Sequence, residues 1–196
     1  MSANHAAFNL IFRFIENYVS PIAGRISSQR HVMAIRDGFI SAMPFMIVGS
    51  FLLVFAYPPF SPDTTWGFAR GWLDLAKQYE GRILTPFDMT TGIMSIYICA
   101  AIAYNLGKHY AKSYQLDPFM CAMLSLMAFL LVAAPKTSGT LPVDSLGGTG
   151  IFTAILVAIY CVEMMRFLKA HNIGIRLPDQ VPPMIKNSFD LLIPVL

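Results

Sequence analysis

The sequence predicts an all-α membrane protein with four complete transmembrane helices, the start of a fifth and an N-terminal amphipathic helix. Hydrophobic residues make up 56% of the 196-residue chain. Charged residues make up only 13%, about half the ~25% that is usual for soluble domains. Mean hydropathy is +0.57, and four long windows lack Asp, Glu, Lys and Arg altogether. This composition excludes disordered chains and disulfide-rich scaffolds.

Residues 1–37 form a predicted cytoplasmic segment that contains the amphipathic helix. Its apolar residues recur at helical spacing between His5 and Val19, at Phe8, Ile11, Phe12, Ile15 and Val19. Such a helix either lies along the inner membrane surface or packs on the rest of the protein, and the pattern leaves both alternatives open. The segment lacks the apolar block and cleavage site of a signal peptide, so we expect the first span to act as an uncleaved insertion signal.

Residues 38–196 contain the four windows without ionised side chains, which predict spans near residues 38–57, 89–107, 118–135 and 145–162. In a helix with a rise of ~1.5 Å per residue, each window reaches about 28 Å, close to the ~30 Å of a hydrocarbon layer. Helices are predicted because an open sheet would leave edge groups unpaired in lipid. Their uncharged polar residues, mostly Ser, Thr, Gly and Asn, can be satisfied by neighbouring helices.

The distribution of positive charge predicts that the N-terminus lies in the cytoplasm. With that orientation, ten of the 14 Lys and Arg residues fall on the cytoplasmic side and four on the outer side. Such a bias sets the orientation of multi-pass membrane proteins. The bases are spread along the chain rather than clustered, so the net charge of +3 does not indicate binding to nucleic acid.

The segments between the spans have their own character. Residues 58–88 open with a proline-rich turn and continue as a partly helical stretch that holds Trp66, Trp72 and Tyr79. Aromatic residues of this kind suit a membrane interface, which we favour over a sugar-binding platform. Residues 136–150 are glycine-rich and predict a short outer loop.

The polar and thiol side chains form no recognisable catalytic, nucleotide-binding or metal-binding motif, so neither a cofactor nor a metal is expected. Cys99, Cys121 and Cys161 lie in apolar stretches and are expected to be small buried hydrophobic residues. The four histidines adjoin Lys or Arg in predicted cytoplasmic segments, and we expect solvation at the interface for His5, His31, His109 and His171.

Two charged positions mark predicted ends of spans. Glu163 and Arg166 are three residues apart, within reach of one another on a helix, and are interpreted as the cytoplasmic stop of the fourth span. A polar contact to a portion outside this chain is the lesser alternative. Asp37, just before the first span, is likewise interpreted as a boundary charge.

The C-terminal region predicts a connection followed by an incomplete span. Three prolines between Ile173 and Ile185 exclude a regular helix there and predict an ordered or extended inner connection. The apolar run at residues 189–196 reaches only about 12 Å, less than half a bilayer. We therefore expect the chain to be a fragment that enters its fifth span.

Three stretches, Ser20–Leu53, Thr90–Ala111 and Ile173–Pro194, resemble the IIC membrane components of the sugar phosphotransferase system, in the lactose/cellobiose/diacetylchitobiose family. The last stretch carries the family signature, Leu-Pro-x-x-Val-Pro-Pro followed by Ser-Phe-x-x-Leu-Ile-Pro. Its residues are Pro178, Val181, Pro182, Pro183, Ser188, Phe189 and Pro194. The expected role of this signature is structural, because proline restricts its own backbone and that of the preceding residue.

The resemblance implies a partial IIC-type fold and a homodimeric permease of the bacterial inner membrane. Such a permease translocates a β-linked, cellobiose-like disaccharide while a partner IIB domain, supplied by IIA, phosphorylates the sugar. It implies that residues 38–196 are the N-terminal scaffold and dimerisation part. The sugar site and the residues of phosphoryl transfer are then expected beyond Leu196, so no catalytic residue is expected here, and an enzymatic role stays open. The alternative is an independent four-span membrane scaffold or assembly protein without transport activity.

Overall fold

The computed structural model describes residues 16–17, 20–133, 143–174, 182, 189 and 191–195, and this part of the chain is helical without strands. Its α-helices are α1 (Ser20–Ser27), α2 (Arg30–Ala56), α3 (Gly67–Asp88), α4 (Met94–Tyr114), α5 (Pro118–Ala133), α6 (Val143–Leu146), α7 (Ile151–Ala170) and α8 (Leu192–Val195). A short 3₁₀ turn, Gly148–Gly150, leads directly into α7. The predicted all-α class is confirmed for these residues.

Helix α4 lies at the centre of the bundle and packs against α2, α5 and α7. Its apolar residues Ile98, Cys99, Ile102 and Leu106 are completely buried. Helices α5 and α7 also contact one another, whereas α3 packs mainly on α2. The bundle therefore consists of a four-helix core, formed by α2, α4, α5 and α7, with α3 attached to one side.

The buried face of α2 is a line of small residues. The buried residues of α2 are all Ala or Gly, at Ala34, Gly38, Ala42, Gly49 and Ala56. A Cβ atom added to Gly38 would lie only 2.9 Å from the backbone nitrogen of Ile102. Small residues at such positions let two helix backbones approach closely, which is how helices associate where no hydrophobic force drives them together.

The predicted start of the third span agrees with the structure. Helix α5 begins at Pro118, where the missing N–H of proline costs no hydrogen bond. The Asp117 carboxylate accepts a hydrogen bond from the Phe119 N–H at 2.9 Å, which satisfies one of the free donors of the first turn. Both signals are readable in the sequence.

The other helix ends differ from the predicted windows. Helix α4 begins at Met94 rather than residue 89, because Met89–Ile93 forms a turn in which the Gly92 N–H bonds to the Phe87 carbonyl at 3.1 Å. Helices α4 and α7 continue to Tyr114 and Ala170, beyond the charges that ended the windows, and α2 begins at Arg30. A charge limits the apolar stretch but does not interrupt the backbone hydrogen bonds of a helix.

Two helical stretches in the described chain are long and apolar enough to cross a membrane: Arg30–Ala56 and Gly148–Ala170. In their apolar 18-residue segments the mean hydropathy values are 2.2 and 1.9, yet only 17% and 28% of each segment is buried inside the protein. A core helix of a soluble protein would be mostly buried, so these surfaces suit lipid or another protein segment. Helix α5 is shorter, at 16 residues. Helix α4 is not among the helices that are both long and apolar enough to cross a membrane. The predicted number of four complete spans therefore stays a prediction.

Several further predictions can be compared with the structure. The stretch with Trp66, Trp72 and Tyr79 is helical from Gly67 onward, as α3. The three cysteines are buried, as expected. The amphipathic helix predicted between His5 and Val19 lies outside the described residues apart from positions 16 and 17.

Candidate functional site

Three polar side chains meet around Glu163 of α7, and the resulting group of four comes from three helices. The Glu163 Oε1 atom accepts a hydrogen bond from the Tyr110 hydroxyl of α4 at 2.7 Å. The same oxygen lies 2.8 Å from His31 Nε2 of α2. The Oε2 atom pairs with Arg166 at 2.8 Å, one turn later on α7. We call His31, Tyr110, Glu163 and Arg166 the Glu163 cluster.

Cations and aromatic rings surround this cluster. The guanidinium groups of Arg30 and Arg166 lie 5.6 and 5.2 Å from the centre of the Tyr110 ring. Arg166 also lies 5.8 Å from the ring of Tyr114, whose edge meets Tyr110. Contacts of this kind attract a cation to the face of an aromatic ring. They hold Arg30 and Arg166 near the Glu163 carboxylate. Of these two arginines, only Arg166 forms an ion pair with it.

Tyr110 links the cluster to the rest of the bundle. Its hydroxyl donates to the Glu163 carboxylate, and the residue itself is almost completely buried. Tyr110 is therefore the point at which the cluster enters the apolar core.

The cluster defines one end of the bundle, which we call the polar end. Helix α2 begins there with His31, while α4 and α7 both approach their last turns there. At the opposite end, the hydroxyl of Ser95, in the first turn of α4, donates to the Leu146 carbonyl just before α7. The two ends together show that α2 runs antiparallel to both α4 and α7.

The chemistry of the Glu163 cluster is that of a clamp rather than a catalyst. A carboxylate that accepts from a phenol, an imidazole and a guanidinium is held in place by charge-assisted hydrogen bonds. The side chains of His31, Glu163 and Arg166 are 32%, 25% and 38% exposed, so they are partly desolvated. Across the described residues, no group of three or more His, Cys, Asp or Glu side chains could hold a metal ion.

The sequence-based interpretation recovered half of the cluster. The predicted pairing of Glu163 with Arg166 is confirmed. The expectation that His31 is merely solvated at the interface is wrong, because His31 is partly buried and bonds to Glu163, 132 residues away. Tyr110 was not singled out. The one available signal was topological: the predicted orientation already placed His31 and Glu163 on the same side of the membrane.

The signature residues are only partly described. Pro178, Val181, Pro183 and Ser188 lie outside the described residues. Pro182 is exposed, and Phe189 is 38% exposed. Pro194 belongs to α8 and lines a small cleft with residues from the end of α7, Met165, Leu168 and Lys169, and with Ile173. The described residues thus bring one signature residue, Pro194, against the last part of α7.

A small cavity opens at the opposite end of the bundle. It has a volume of about 250 Å³ and is lined by Phe129 together with Ser145, Thr149 and Thr153. The Thr149 hydroxyl is already engaged, since it donates to the Asp144 carbonyl at 2.6 Å. A volume at or below the lower end of ordinary small-molecule sites, ~300 Å³, suits one small polar group rather than a disaccharide.

Comparison with known proteins identifies the family. The family model described as "Phosphotransferase system, EIIC" matches residues 36–196. The chain belongs to this EIIC family. The cellobiose-specific EIIC component of Geobacillus stearothermophilus is 37% identical over 93% of this chain and 42% of its own length. The lichenan permease IIC component of Bacillus subtilis (strain 168) is 32% identical over 95% of this chain and 42% of its own.

A solved structure supports the same assignment at the level of the fold. The crystal structure of the transporter ChbC, the IIC component of the N,N'-diacetylchitobiose-specific phosphotransferase system, superposes with a TM-score of 0.76. The two sequences are 33% identical, and the match covers 93% of this chain and 43% of ChbC. The EIIC chain described here therefore has an IIC-type fold and spans about two-fifths of the length of the relatives that it matches.

Proposed function

We propose that this EIIC chain forms the scaffold part of a membrane permease that translocates a β-linked, cellobiose-like disaccharide. Translocation is coupled to phosphorylation of the sugar by a partner IIB domain, which receives its phosphoryl group from IIA. The observation that carries the proposal is the match to ChbC over 93% of the chain at a TM-score of 0.76. The cellobiose-specific relative at 37% identity favours a disaccharide of the cellobiose type.

Four membrane crossings are part of this proposal. Helix α4 ends at the polar end and α7 begins at the opposite end, so α5 must run from the polar end to the opposite end. Its start at Pro118, four residues after the end of α4 at Tyr114, supports this direction. Helix α4 reaches about 31 Å and α5 about 24 Å at ~1.5 Å per residue. A span shorter than the ~30 Å hydrocarbon layer is accommodated by local thinning or by its neighbours. The run at residues 189–196 begins a fifth span.

The proposed orientation places the polar end in the cytoplasm of a bacterial cell, with the chain in the inner membrane. The excess of Lys and Arg on that side supports this orientation. The Glu163 cluster would then tie three spans together next to the connection at residues 173–194. The signature prolines, Pro178, Pro182 and Pro183, would fix that connection between the scaffold and the transport part.

The scaffold role has a physical basis in the four-helix core. Its contacts are made by small and apolar residues, and the polar cluster of the core is occupied by its own ion pairs. We assign dimerisation of the full-length permease to residues 38–196 as well. The exposed apolar side chains of α2 and α7, such as Phe51 and Phe152, supply surface for this contact.

Uptake of radiolabelled cellobiose into membrane vesicles tests the proposal. We expect no saturable uptake by the 196-residue chain alone. We expect saturable uptake, dependent on phosphorylated IIB, when the chain is joined to the part of the Geobacillus stearothermophilus relative that lies beyond the matched region. The intact relative and its C-terminal part alone are the controls.

Two outcomes would contradict the proposal. Saturable uptake by the chain alone would place a sugar site inside it. A membrane-inserted and dimeric chimera without any uptake would instead support an independent scaffold protein, unrelated to transport.

A further inference from the structure

An apolar groove runs between α3 and the C-terminal end of α2. Its volume is about 800 Å³, within the range of ~300–1,000 Å³ that is usual for ligand sites. Phe55 of α2 forms one wall. The other wall is a stripe along α3, with Phe68, Trp72, Leu75 and Tyr79 at helical spacing.

A glycine makes this surface concave. Gly71 lies on the stripe between Phe68 and Leu75, and a Cβ atom added there would meet no other atom within 4 Å. Glycine inside a helix is unfavourable relative to alanine, and no close packing requires it here. Gly71 therefore leaves open space in the middle of an aromatic surface.

The walls of the groove are held in place before any ligand binds. The indole N–H of Trp72 donates to the Phe55 carbonyl at 3.2 Å. The rings of Phe55 and Trp72 lie 5.8 Å apart, and the ring of Phe68 meets Trp72 at 6.0 Å. A preformed site loses less conformational freedom on binding.

A single cation marks one end of the groove. Arg82 is the one charged residue among those that line it, and its guanidinium lies 5.9 Å from the centre of the Tyr79 ring. None of the described carboxylates pairs with Arg82. The nearby Glu80 instead accepts a hydrogen bond from the Tyr57 hydroxyl at 3.0 Å.

We propose that this groove binds one phospholipid, with an acyl chain along the aromatic stripe and the phosphate on Arg82. An apolar groove that ends at one exposed cation, Arg82, is complementary to an acyl chain with an anionic headgroup. The groove adjoins the end of α2, which is apolar enough to span a membrane, so it lies where headgroups meet hydrocarbon. A disaccharide would need several polar partners, and the lining offers few. The proposal requires a bilayer but does not depend on sugar transport.

Native mass spectrometry of the detergent-solubilised 196-residue chain, titrated with phosphatidylglycerol, tests the proposal. We expect one tightly retained phosphatidylglycerol per chain. The variant Gly71→Leu fills the groove and should lower retention about tenfold or more. The matched control is Gly81→Leu, because Gly81 lies on the same helix with equally open space around it but does not line the groove.

A second pair of variants tests the role of the phosphate. Arg82→Gln should lower retention of phosphatidylglycerol about tenfold and leave retention of diacylglycerol, which has no phosphate, unchanged. Lys77→Gln removes the same charge from an exposed position on α3 and should change neither.

Three results would overturn the proposal. The first is equal retention of lipid by the chain and by Gly71→Leu. The second is a Gly71→Leu variant that changes the number of chains per micelle but not lipid retention, which would assign the groove to a second copy. The third is equal loss of both lipids in Arg82→Gln.

Discussion

Helix α2 meets its two neighbours, α4 and α3, in different ways. The buried residues of α2 are all small, and against α4 Gly38 has no room for a methyl group. Towards α3, whose buried residues Ala69 and Ala76 are small as well, the aromatic side chains of Phe55 and Trp72 meet at the surface, and Gly71 faces open space. The polar groups differ as well: the Glu163 cluster is partly desolvated, whereas the Tyr57–Glu80 bond is exposed.

This difference shows that a glycine inside a helix can have two distinct structural roles. At Gly38 the missing side chain allows two backbones to pack, so it contributes to the stability of the bundle. At Gly71 it leaves a groove and contributes nothing to packing within the described residues. The core formed by α2, α4, α5 and α7 is therefore expected to resist unfolding, while α3 is expected to tolerate substitution.

The largest expected effect is that of Gly38→Ala. The added methyl group would overlap the backbone of Ile102 and force α2 away from α4, which we expect to cost about 2–3 kcal/mol of unfolding free energy. Reversible unfolding in mixed detergent micelles measures this value. Gly81→Ala on α3 is the control and should be neutral or stabilise by about 0.5 kcal/mol. Equal losses in both variants would show that the two contacts do not differ.

The next effect is that of Glu163→Gln at the polar end. The variant keeps the shape of the side chain but removes its negative charge. The Tyr110 hydroxyl, the His31 imidazole and the Arg166 guanidinium all bind the carboxylate that carries this charge. We expect a loss of about 2 kcal/mol, less than for a fully buried pair because the cluster is partly exposed. Glu80→Gln on α3 provides the comparison and should be nearly neutral. A Glu163→Gln variant as stable as the unchanged chain would show that the cluster does not hold the helices.

A smaller effect is expected from Tyr110→Phe. The variant removes the hydrogen bond from the Tyr110 hydroxyl to Glu163 at 2.7 Å and should cost about 1 kcal/mol of unfolding free energy. Reversible unfolding in mixed detergent micelles at pH 7 compares the two chains. A Tyr110→Phe variant as stable as the unchanged chain would contradict this account.

The smallest effect is expected at the exposed end of α2. Tyr57→Phe removes a solvent-accessible hydrogen bond of 3.0 Å from the exposed Tyr57 side chain to the half-buried Glu80 side chain. Water replaces such a bond almost completely, so we expect no measurable change in the midpoint of thermal unfolding. A destabilisation as large as that of Glu163→Gln would mean that α3 is fixed as firmly as the core.

The sequence predicted the apolar helices well because their signal is local. The start of α5 could be read from Asp117 and Pro118, which provide a cap and a first turn without help from the rest of the chain. The start of α4 could not be read in this way. Met89–Ile93 is as free of charge as the first part of the helix that follows, and only the turn around Gly92 separates α3 from α4.

The polar end was harder to predict because it depends on contacts distant in sequence. Glu163 and Arg166 are one turn apart, so their pairing followed from helix geometry. His31 joins them only because α2 and α7 both pack on α4 and run antiparallel to one another. Nothing in the residues around His31 distinguishes it from His109 or His171. The groove on α3 was equally hard to predict, because Gly71 forms a groove only when α3 packs beside Phe55 of α2.

The most direct test of the account is the accessibility of single cysteines in intact cells. The three native cysteines are replaced by alanine, and one cysteine is introduced at an exposed position: Ser28, Lys112 or His171 at the polar end, or Asp63 or Asp144 at the opposite end. A membrane-impermeant maleimide should label the cysteines at 63 and 144 from outside, and those at 28, 112 and 171 only after the membrane is opened. Labelling of position 112 from outside, or protection of position 63 in intact cells, would contradict four crossings with the Glu163 cluster in the cytoplasm.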